Sequence, residues 1–179
     1  ENMPGGGAMR PGDVIRGGSG RTVEVINTDA EGRLLLGDGI WYAGALGATH
    51  VVDIATLTGA CMVGLGRATA GVFGRPDEWR DRVIGAADRS GEPCWPMPLV
   101  DDEREQLKSD IADTTNSGGR YGGAMTAALF VGEFAGGRPW AHIDVAGPAW
   151  AGEAKPYLPK GPTGFGVRTL VELALAMRG

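Results

Sequence analysis

The sequence has few cysteines: Cys61 and Cys94 are the only two among its 179 residues. Two thiols cannot form the disulfide framework that staples small secreted domains, so a reducing, cytoplasmic setting is expected. Cys61 follows Gly59 and Ala60 in an apolar stretch. We therefore expect it to be a small buried residue and not a catalytic nucleophile.

The sequence also lacks long apolar runs and an excess of basic residues. No stretch of 18 apolar residues occurs, so no membrane-spanning segment and no membrane partner are predicted. There are 17 Lys and Arg residues against 22 Asp and Glu residues, and the net charge is −5. A nucleic-acid partner is therefore not expected, because such surfaces need clustered positive charge.

Several catalytic motifs are missing as well. The sequence contains no Gly-x-Ser-x-Gly elbow of serine hydrolases and no His-Glu-x-x-His zinc motif. Its two histidines, His50 and His142, are expected in the core or at its rim rather than as metal ligands. Asp53 and Asp144 lie inside predicted strands, where buried structural roles are expected for them.

The residues that are present are typical of one soluble globular domain, with 42% hydrophobic and 22% charged residues. Predicted strands alternate with predicted helices. We therefore predict an α/β fold with three layers, in which helices cover a central, mainly parallel (mixed) sheet. The main predicted strands are 21–26, 50–57 and 140–146, and the main predicted helices are 33–46, 76–87, 125–134 and 167–178.

Three loops follow these strands, at residues 27–33, 56–60 and 146–149. In open parallel sheets, ligands bind outside the carboxyl ends of the strands. If the three strands belong to one parallel sheet, the three loops meet at one edge. The sequence therefore predicts a functional site there.

The first of these loops carries Asp29, Glu31 and Arg33. The two carboxylates are hard oxygen ligands suited to divalent cations, and residues two apart at a strand end leave it in the same direction. A structural alternative is equally simple, since Thr28 and Glu31 have the spacing of a helix capping box and Asp29 would favour the helix dipole. Spacing alone favours the cap.

The run Asn27-Thr28-Asp29-Ala30-Glu31-Gly32-Arg33-Leu34 resembles the signature of the leucyl (cytosol) aminopeptidase family of metallopeptidases. Companion segments in the same order resemble other blocks of that family: residues 1–4, 10–13, 53–60, 142–147 and 160–164. The resemblance thus extends over the whole chain and implies the fold and the chemistry of that family.

The resemblance implies a two-metal site with Mn²⁺ or Zn²⁺. Asp29 would bind one metal ion and Glu31 would bridge both ions. Arg33 would act in catalysis by holding a bicarbonate, which serves as the general base for the bridging water.

The resemblance also implies where peptide substrates bind. The Leu57 carbonyl and the Gly59 amide would hydrogen-bond the substrate backbone. Thr56, Gly59, Ala146 and Ala149 would line the pocket for the first side chain. The implied reaction is hydrolysis of the N-terminal peptide bond, with leucine-like residues preferred, in a homo-oligomer that is a hexamer in the full-length form.

Part of the family pattern has no match in this sequence. Further metal ligands (a lysine and two aspartates), a catalytic lysine and an N-terminal regulatory domain cannot be matched. Residues 1–179 are therefore expected to be the C-terminal portion of the catalytic domain, as a single domain whose sheet is truncated on its N-terminal side. This portion alone is expected to be inactive or nearly so. The alternative is a non-catalytic assembly or binding module that retains the fold.

Overall fold

The computed structural model describes residues 5–178, in which strands alternate with helices. The predicted α/β class is confirmed, whereas the resembling segment 1–4 lies outside the described residues. The strands are β1 (Val14–Arg16), β2 (Thr22–Glu24), β3 (Val51–Ala55), β4 (Ala70–Arg75), β5 (Cys94–Pro96), β6 (Thr114–Thr115), β7 (Trp140–Asp144), β8 (Trp150–Ala151) and β9 (Gly161–Pro162). The helices are α1 (Gly32–Ala45), α2 (Gly59–Leu65), α3 (Asp77–Ser90), α4 (Gly123–Gly132) and α5 (Val167–Ala176). Within residues 5–178, no helix is long and apolar enough to cross a membrane.

The chain forms two compact units. The first unit contains Glu1–Val51 and Leu99–Pro139, and the second contains Val52–Pro98 and Trp140–Gly179. The prediction of a single domain over residues 1–179 stays a prediction.

The first unit contains a three-stranded sheet in the order β1-β2-β6. Strand β2 pairs with β1 in the antiparallel sense and with β6 in the parallel sense. This sheet corrects one expectation, because the predicted strand 21–26 does not share a sheet with the other two predicted strands. Its neighbours in the sheet are the short strands β1 and β6. The sequence predicts a short strand at Val14 and Ile15, whereas it predicts a polar, glycine-rich loop over residues 113–123, where β6 lies.

Helix α1 packs against α4 and the following turn, Glu133–Ala135. Its buried residues are Arg33, Gly37, Ile40 and Gly44, which lie on one face at helical spacing. A Cβ on Gly37 would lie 2.8 Å from the ring of Phe134, so this close packing requires glycine. The apolar residues of this segment (Leu34, Leu35, Ile40, Trp41 and Ala45) predict a broad apolar face on the helix. That prediction is wrong, because Leu35 is 69% exposed and Trp41 is 38% exposed.

The second unit contains a four-stranded sheet in the order β3-β7-β4-β5. Strand β4 is parallel to β5 and antiparallel to β7, so the sheet is mixed. The N–H of Val51 donates to the Pro139 carbonyl at one end of β3, and the N–H of Val145 donates to the Ala55 carbonyl at the other. Strands β3 and β7 therefore run parallel, and the loops that follow them begin at the same edge.

The core of the second unit lies between this sheet and helices α3 and α5. Alternate residues of two central strands point into it, as the two-residue period of a strand requires. The fully buried members of this core include Val72, Ala141 and Ile143 from the strands and Val83 and Ala86 from α3. Strand β4 was missed in the sequence, because its two glycines interrupt the pattern of β-branched residues.

Candidate functional site

The loop between β2 and α1 carries the three predicted catalytic and metal-binding residues. A short 3-10 turn covers Thr28–Ala30, and the Asn27 side-chain oxygen accepts a hydrogen bond from the Asp29 N–H at 3.0 Å. Glu31 precedes α1 in a helical conformation and makes no side-chain capping bond. The capping box expected from Thr28 and Glu31 is therefore wrong, because Asn27 caps this turn.

The carboxylates of Asp29 and Glu31 have no structural partner among residues 5–178. Asp29 is exposed and Glu31 is half-buried. Within that part of the chain, neither carboxylate takes part in a hydrogen bond or an ion pair. Their oxygen atoms are therefore available to an external ligand.

Arg33 lies on the buried face of α1. Its Nη1 atom donates a hydrogen bond of 2.9 Å to the main-chain carbonyl of Asn116. This bond fixes the guanidinium beside the loop that carries Asp29 and Glu31. Because the inward face of α1 contains this arginine, it is less apolar than a face of leucine and isoleucine residues would be.

The donor chemistry of this loop fits a divalent cation in part. Two unpartnered carboxylates, separated by one residue, are the oxygen ligands that such cations prefer. Among residues 5–178, however, no group of three or more His, Cys, Asp and Glu side chains is placed to hold a metal ion. Asp29 and Glu31 therefore fit as two ligands of a larger shell.

The predicted substrate-binding residues all belong to the second unit. Thr56 and Gly59 are exposed, and Leu57, Ala146 and Ala149 are half-buried. A Cβ built on Gly59 would meet nothing within 4 Å, so the surface beside this residue is open. Their roles in substrate binding stay predictions.

Asp144 connects the two loops that contain these residues. It is fully buried at the end of β7. Its Oδ1 atom accepts hydrogen bonds from the Leu57 N–H at 3.2 Å and from the Ala146 N–H at 3.1 Å. Its Oδ2 atom accepts a bond of 2.7 Å from the Thr58 hydroxyl. The structure thus brings the 56–60 and 146–149 loops together through one carboxylate.

Asp53 and His142, the other candidate side chains of the second unit, are buried and hydrogen-bonded, and His50 belongs to the first unit. The Asp53 carboxylate binds His142 Nδ1 at 2.5 Å and accepts a bond of 2.7 Å from Trp140 Nε1. His142 is fully buried, whereas His50 is exposed and bonds to the neighbouring Thr49. The expectation that these histidines and aspartates are structural is confirmed for Asp53, Asp144 and His142.

Neither cysteine is set up as a nucleophile. Burial, followed by the negative charge of Asp144, raises the pKa of Cys61 to about 11. Burial and the nearby carboxylates of Glu92 and Asp88 raise the pKa of Cys94 to about 12. Because the thiolate is the reactive form, both side chains are inert at neutral pH. The prediction that Cys61 is a small buried residue is confirmed.

Asn116 is the residue of this site that sequence reasoning missed. It lies in the polar, glycine-rich stretch 113–123, which was expected to be a plain loop, yet it is fully buried. Its side chain and main chain contact the segment that carries the predicted metal ligands. A single asparagine among glycines and serines carries no pattern that would reveal this role.

Comparison with known proteins gives a consistent result. The model of the cytosol aminopeptidase family, catalytic domain, matches residues 1–171. A probable cytosol aminopeptidase from Solibacter usitatus is 58% identical over 175 residues, which are 98% of this chain and 36% of that protein. One from Aquifex aeolicus is 51% identical over 174 residues, which are 96% of this chain and 35% of that protein.

Solved structures agree with these relatives. A mutant leucine aminopeptidase from tomato superposes with a TM-score of 0.93 at 47% identity, covering 98% of this chain and 34% of that one. The bottromycin maturation enzyme BotP in complex with Mn superposes with a TM-score of 0.92 at 43% identity, covering 99% of this chain and 40% of that one. The chain thus spans about a third of the length of the curated relatives it matches.

Proposed function

Since the chain belongs to the cytosol aminopeptidase family, we propose that it forms part of a metal-dependent aminopeptidase that removes N-terminal residues from peptides. The observation that carries the proposal is the pair of carboxylates, Asp29 and Glu31, which make no hydrogen bond or ion pair within residues 5–178. In the same short motif, the Arg33 guanidinium is anchored to the Asn116 carbonyl.

We assign the metal-binding role to these carboxylates. Asp29 would be a ligand of one divalent ion and Glu31 a ligand shared by two, and the ions would be Mn²⁺ or Zn²⁺. The Mn in the BotP complex, a relative of 43% identity, supports Mn²⁺. When bound, such ions would supply a water molecule of lowered pKa and would polarise the carbonyl of the scissile bond.

The residues of the chain itself position the reactants. Arg33 would hold a bicarbonate anion, for which a planar guanidinium is well suited, and this anion would supply the general base for the water. The Leu57 N–H is occupied by Asp144, which leaves the Leu57 carbonyl for the substrate backbone together with the Gly59 amide.

The pocket for the first substrate side chain is lined by Thr56, Gly59, Ala146 and Ala149. These residues are small, so they leave room for a branched aliphatic side chain. A leucine-like preference follows, because an apolar lining rewards the burial of an apolar side chain.

Assembly and location follow from the family. We propose a homohexamer for the full-length form, as the resemblance to the family implies. We propose the cytoplasm as its location, and the names of the cytosol aminopeptidase relatives support this location. The non-catalytic assembly module remains the alternative. It would be favoured by a capping bond between Glu31 and Thr28, and Glu31 makes no such bond.

Two assays test the proposal. The 179-residue chain is first incubated with Mn²⁺ and leucine p-nitroanilide, and we expect no turnover because it supplies only part of the metal shell. The chain then replaces the matching third of the tomato enzyme, with which it shares 47% identity. We expect this chimera to be active.

Paired variants of the chimera identify the source of the activity. Glu31→Gln keeps the shape of the side chain but removes its charge, and we expect activity to fall by at least about 100-fold. The control is Asp110→Asn, an exposed carboxylate of the same unit, which leaves activity unchanged. A chimera that folds and binds Mn²⁺ but does not hydrolyse the substrate would contradict the proposed function.

A further inference from the structure

Asn116 uses every polar atom of its side chain on the segment that leads into the predicted metal ligands. Its Oδ1 atom accepts hydrogen bonds from the N–H groups of Ile26 at 3.0 Å and Asn27 at 3.2 Å. Its Nδ2 atom donates to the carbonyls of Asn27 at 2.6 Å and Ala30 at 3.4 Å. One fully buried amide thus binds both the start and the end of the turn.

The main chain of Asn116 adds two further connections. Its N–H donates to the Glu24 carbonyl at 2.9 Å, which continues the pairing of β2 with β6. Its carbonyl accepts the 2.9 Å bond from Arg33 Nη1. The same residue is therefore joined to the strand before the loop, to the turn within it and to the arginine after it.

The turn has no comparable support elsewhere among residues 5–178. Its own hydrogen bonds are local: the Asp29 N–H donates to the Asn27 side chain, and the Ala30 N–H donates to the Asn27 carbonyl at 3.2 Å. Such local bonds are compatible with more than one path of the backbone. The bonds from Asn116 select one path, because they come from a segment about ninety residues away in sequence.

We propose that Asn116 is a positioning residue, which fixes the backbone between Asn27 and Ala30 so that Asp29 and Glu31 can bind the same metal centre with Arg33 beside it. This inference rests on the proposed function, because it presumes that Asp29 and Glu31 are metal ligands. Groups that hold metal ligands in place affect metal affinity without touching the metal.

An asparagine is required for this role. The turn offers two N–H donors at its start and two carbonyl acceptors further along, and only a side-chain amide presents an acceptor and two donors in one plane. A carboxylate of the same shape would lose both donations, and an apolar side chain would remove the hydrogen-bond partner of all four main-chain groups.

The test compares Asn116→Ala with Thr114→Ala in the full 179-residue chain. Thr114 is also buried, lies two residues away, and donates its hydroxyl to the Leu107 carbonyl rather than to the turn. The first readout is Mn²⁺ affinity, measured from the paramagnetic broadening of backbone amide signals at residues 27–33. The second is the hydrogen exchange rate of the same amides.

We expect Asn116→Ala to weaken Mn²⁺ binding by about 10- to 100-fold and to speed amide exchange at Ile26 and Asn27 by at least about tenfold. Thr114→Ala should leave both quantities within about twofold of the unchanged chain, since it removes no bond to the turn. Unchanged Mn²⁺ affinity in a folded Asn116→Ala chain would overturn the inference.

Two further results separate this inference from the proposed function. If neither the unchanged chain nor the chimera with the tomato enzyme binds Mn²⁺ at Asp29 and Glu31, the proposed metal site fails, and exchange alone then decides whether Asn116 holds the turn. If only the chimera binds Mn²⁺, the affinities of Asn116→Ala and Thr114→Ala are compared in the chimera. If Asn116→Ala does not fold, hydrogen exchange in the unchanged chain tests the inference instead. The inference requires the exposed Ile26 and Asn27 amides of that chain to exchange at least about 100-fold more slowly than free amides. Fast exchange there overturns the inference.

Discussion

Substitution of Asp144 by asparagine tests how the two predicted substrate-binding loops are held together. The substitution keeps the shape of the side chain and one oxygen atom. That oxygen can still accept the bonds from the Leu57 and Ala146 N–H groups. The other oxygen becomes an NH₂ group that faces the Thr58 hydroxyl, which now lies 2.7 Å from a carboxylate oxygen.

The size of the effect follows from the contacts of Thr58. Its hydroxyl oxygen already accepts the N–H bond of Cys61 at 3.0 Å, where Thr58 caps α2. The new NH₂ group can donate to the same oxygen, but the hydroxyl proton then has no acceptor. A buried donor without a partner costs about 1–3 kcal/mol, so we expect Asp144→Asn to lower the free energy of unfolding by that amount.

A double-mutant cycle with Thr58→Val isolates this bond. Thr58→Val removes the hydroxyl and with it the proton that would lack an acceptor. Asp144→Asn should therefore lower the free energy of unfolding by about 1 kcal/mol less in a chain with Thr58→Val than in the unchanged chain. Urea unfolding followed by tryptophan fluorescence gives the four free energies, because Trp79 and Trp140 are buried in the second unit. The control is Asp81→Asn, which removes an exposed ion pair with Arg80 in the same unit. We expect this substitution to change the free energy of unfolding by less than about 1 kcal/mol.

If Asp144→Asn lowers the free energy of unfolding equally with Thr58 and with Val at position 58, the reasoning is refuted, because the bond from the Thr58 hydroxyl would then contribute nothing to stability. A coupling of the expected size would show that the 56–60 loop is held to the end of β7 by this hydroxyl. In the active chimera, the same substitution should raise KM for leucine p-nitroanilide more than it lowers kcat, since the loop is proposed to bind substrate.

Two further predictions concern ionisable groups of the second unit. Burial raises the pKa of Glu92, but hydrogen bonds from the Thr169 hydroxyl and N–H outweigh it, so the pKa lies below its usual value. A lowered pKa in the folded state stabilises the protein above the usual glutamate pKa of about 4.3 and loses that effect as pH falls below it. The stability difference between the unchanged chain and Glu92→Gln, measured by urea unfolding, should therefore shrink from pH 6 to pH 3. Because their pKa values are raised, Cys61 and Cys94 should react with Ellman's reagent at least about 100-fold more slowly in the folded chain than in urea.

Each of these has a clear contrary result. A stability difference that stays constant or grows as pH falls would show that Glu92 is not held as a carboxylate by the start of α5. Rapid labelling of either thiol in the folded chain would show that the cysteine is more accessible than its burial indicates. Mass spectrometry of the labelled peptides assigns the reaction to one cysteine or the other.

Local patterns predicted helices α1, α3, α4 and α5 and strands β2, β3 and β7. The apolar runs before the two glycine-rich loops became β3 and β7, because a continuous apolar stretch is buried on both faces of a sheet. Helix α3 begins after Pro76, as its acidic first turn indicated. These features depend on neighbours in sequence, which is why they could be read without the fold.

Packing between distant segments could not be predicted in this way. The inward face of α1 is set by Gly37, where the ring of Phe134 requires a residue without a side chain. An amphipathic pattern cannot show this, since glycine contributes nothing to it. The sequence pattern also could not predict which strands share a sheet. Strand β2 pairs with two short strands, β1 and β6, and this pairing depends on which segments the folded chain brings together.

The sequence by itself determined which charged groups the first loop carries. Asp29, Glu31 and Arg33 bring two carboxylates and one permanent positive charge into one short motif, and the resemblance of that motif identified the family. Only the tertiary structure decided that Asn116 holds this loop and that Asp144 holds the second pair of loops. Hydrogen bonds between residues so far apart depend on the closure of the whole chain, so no local pattern can specify them.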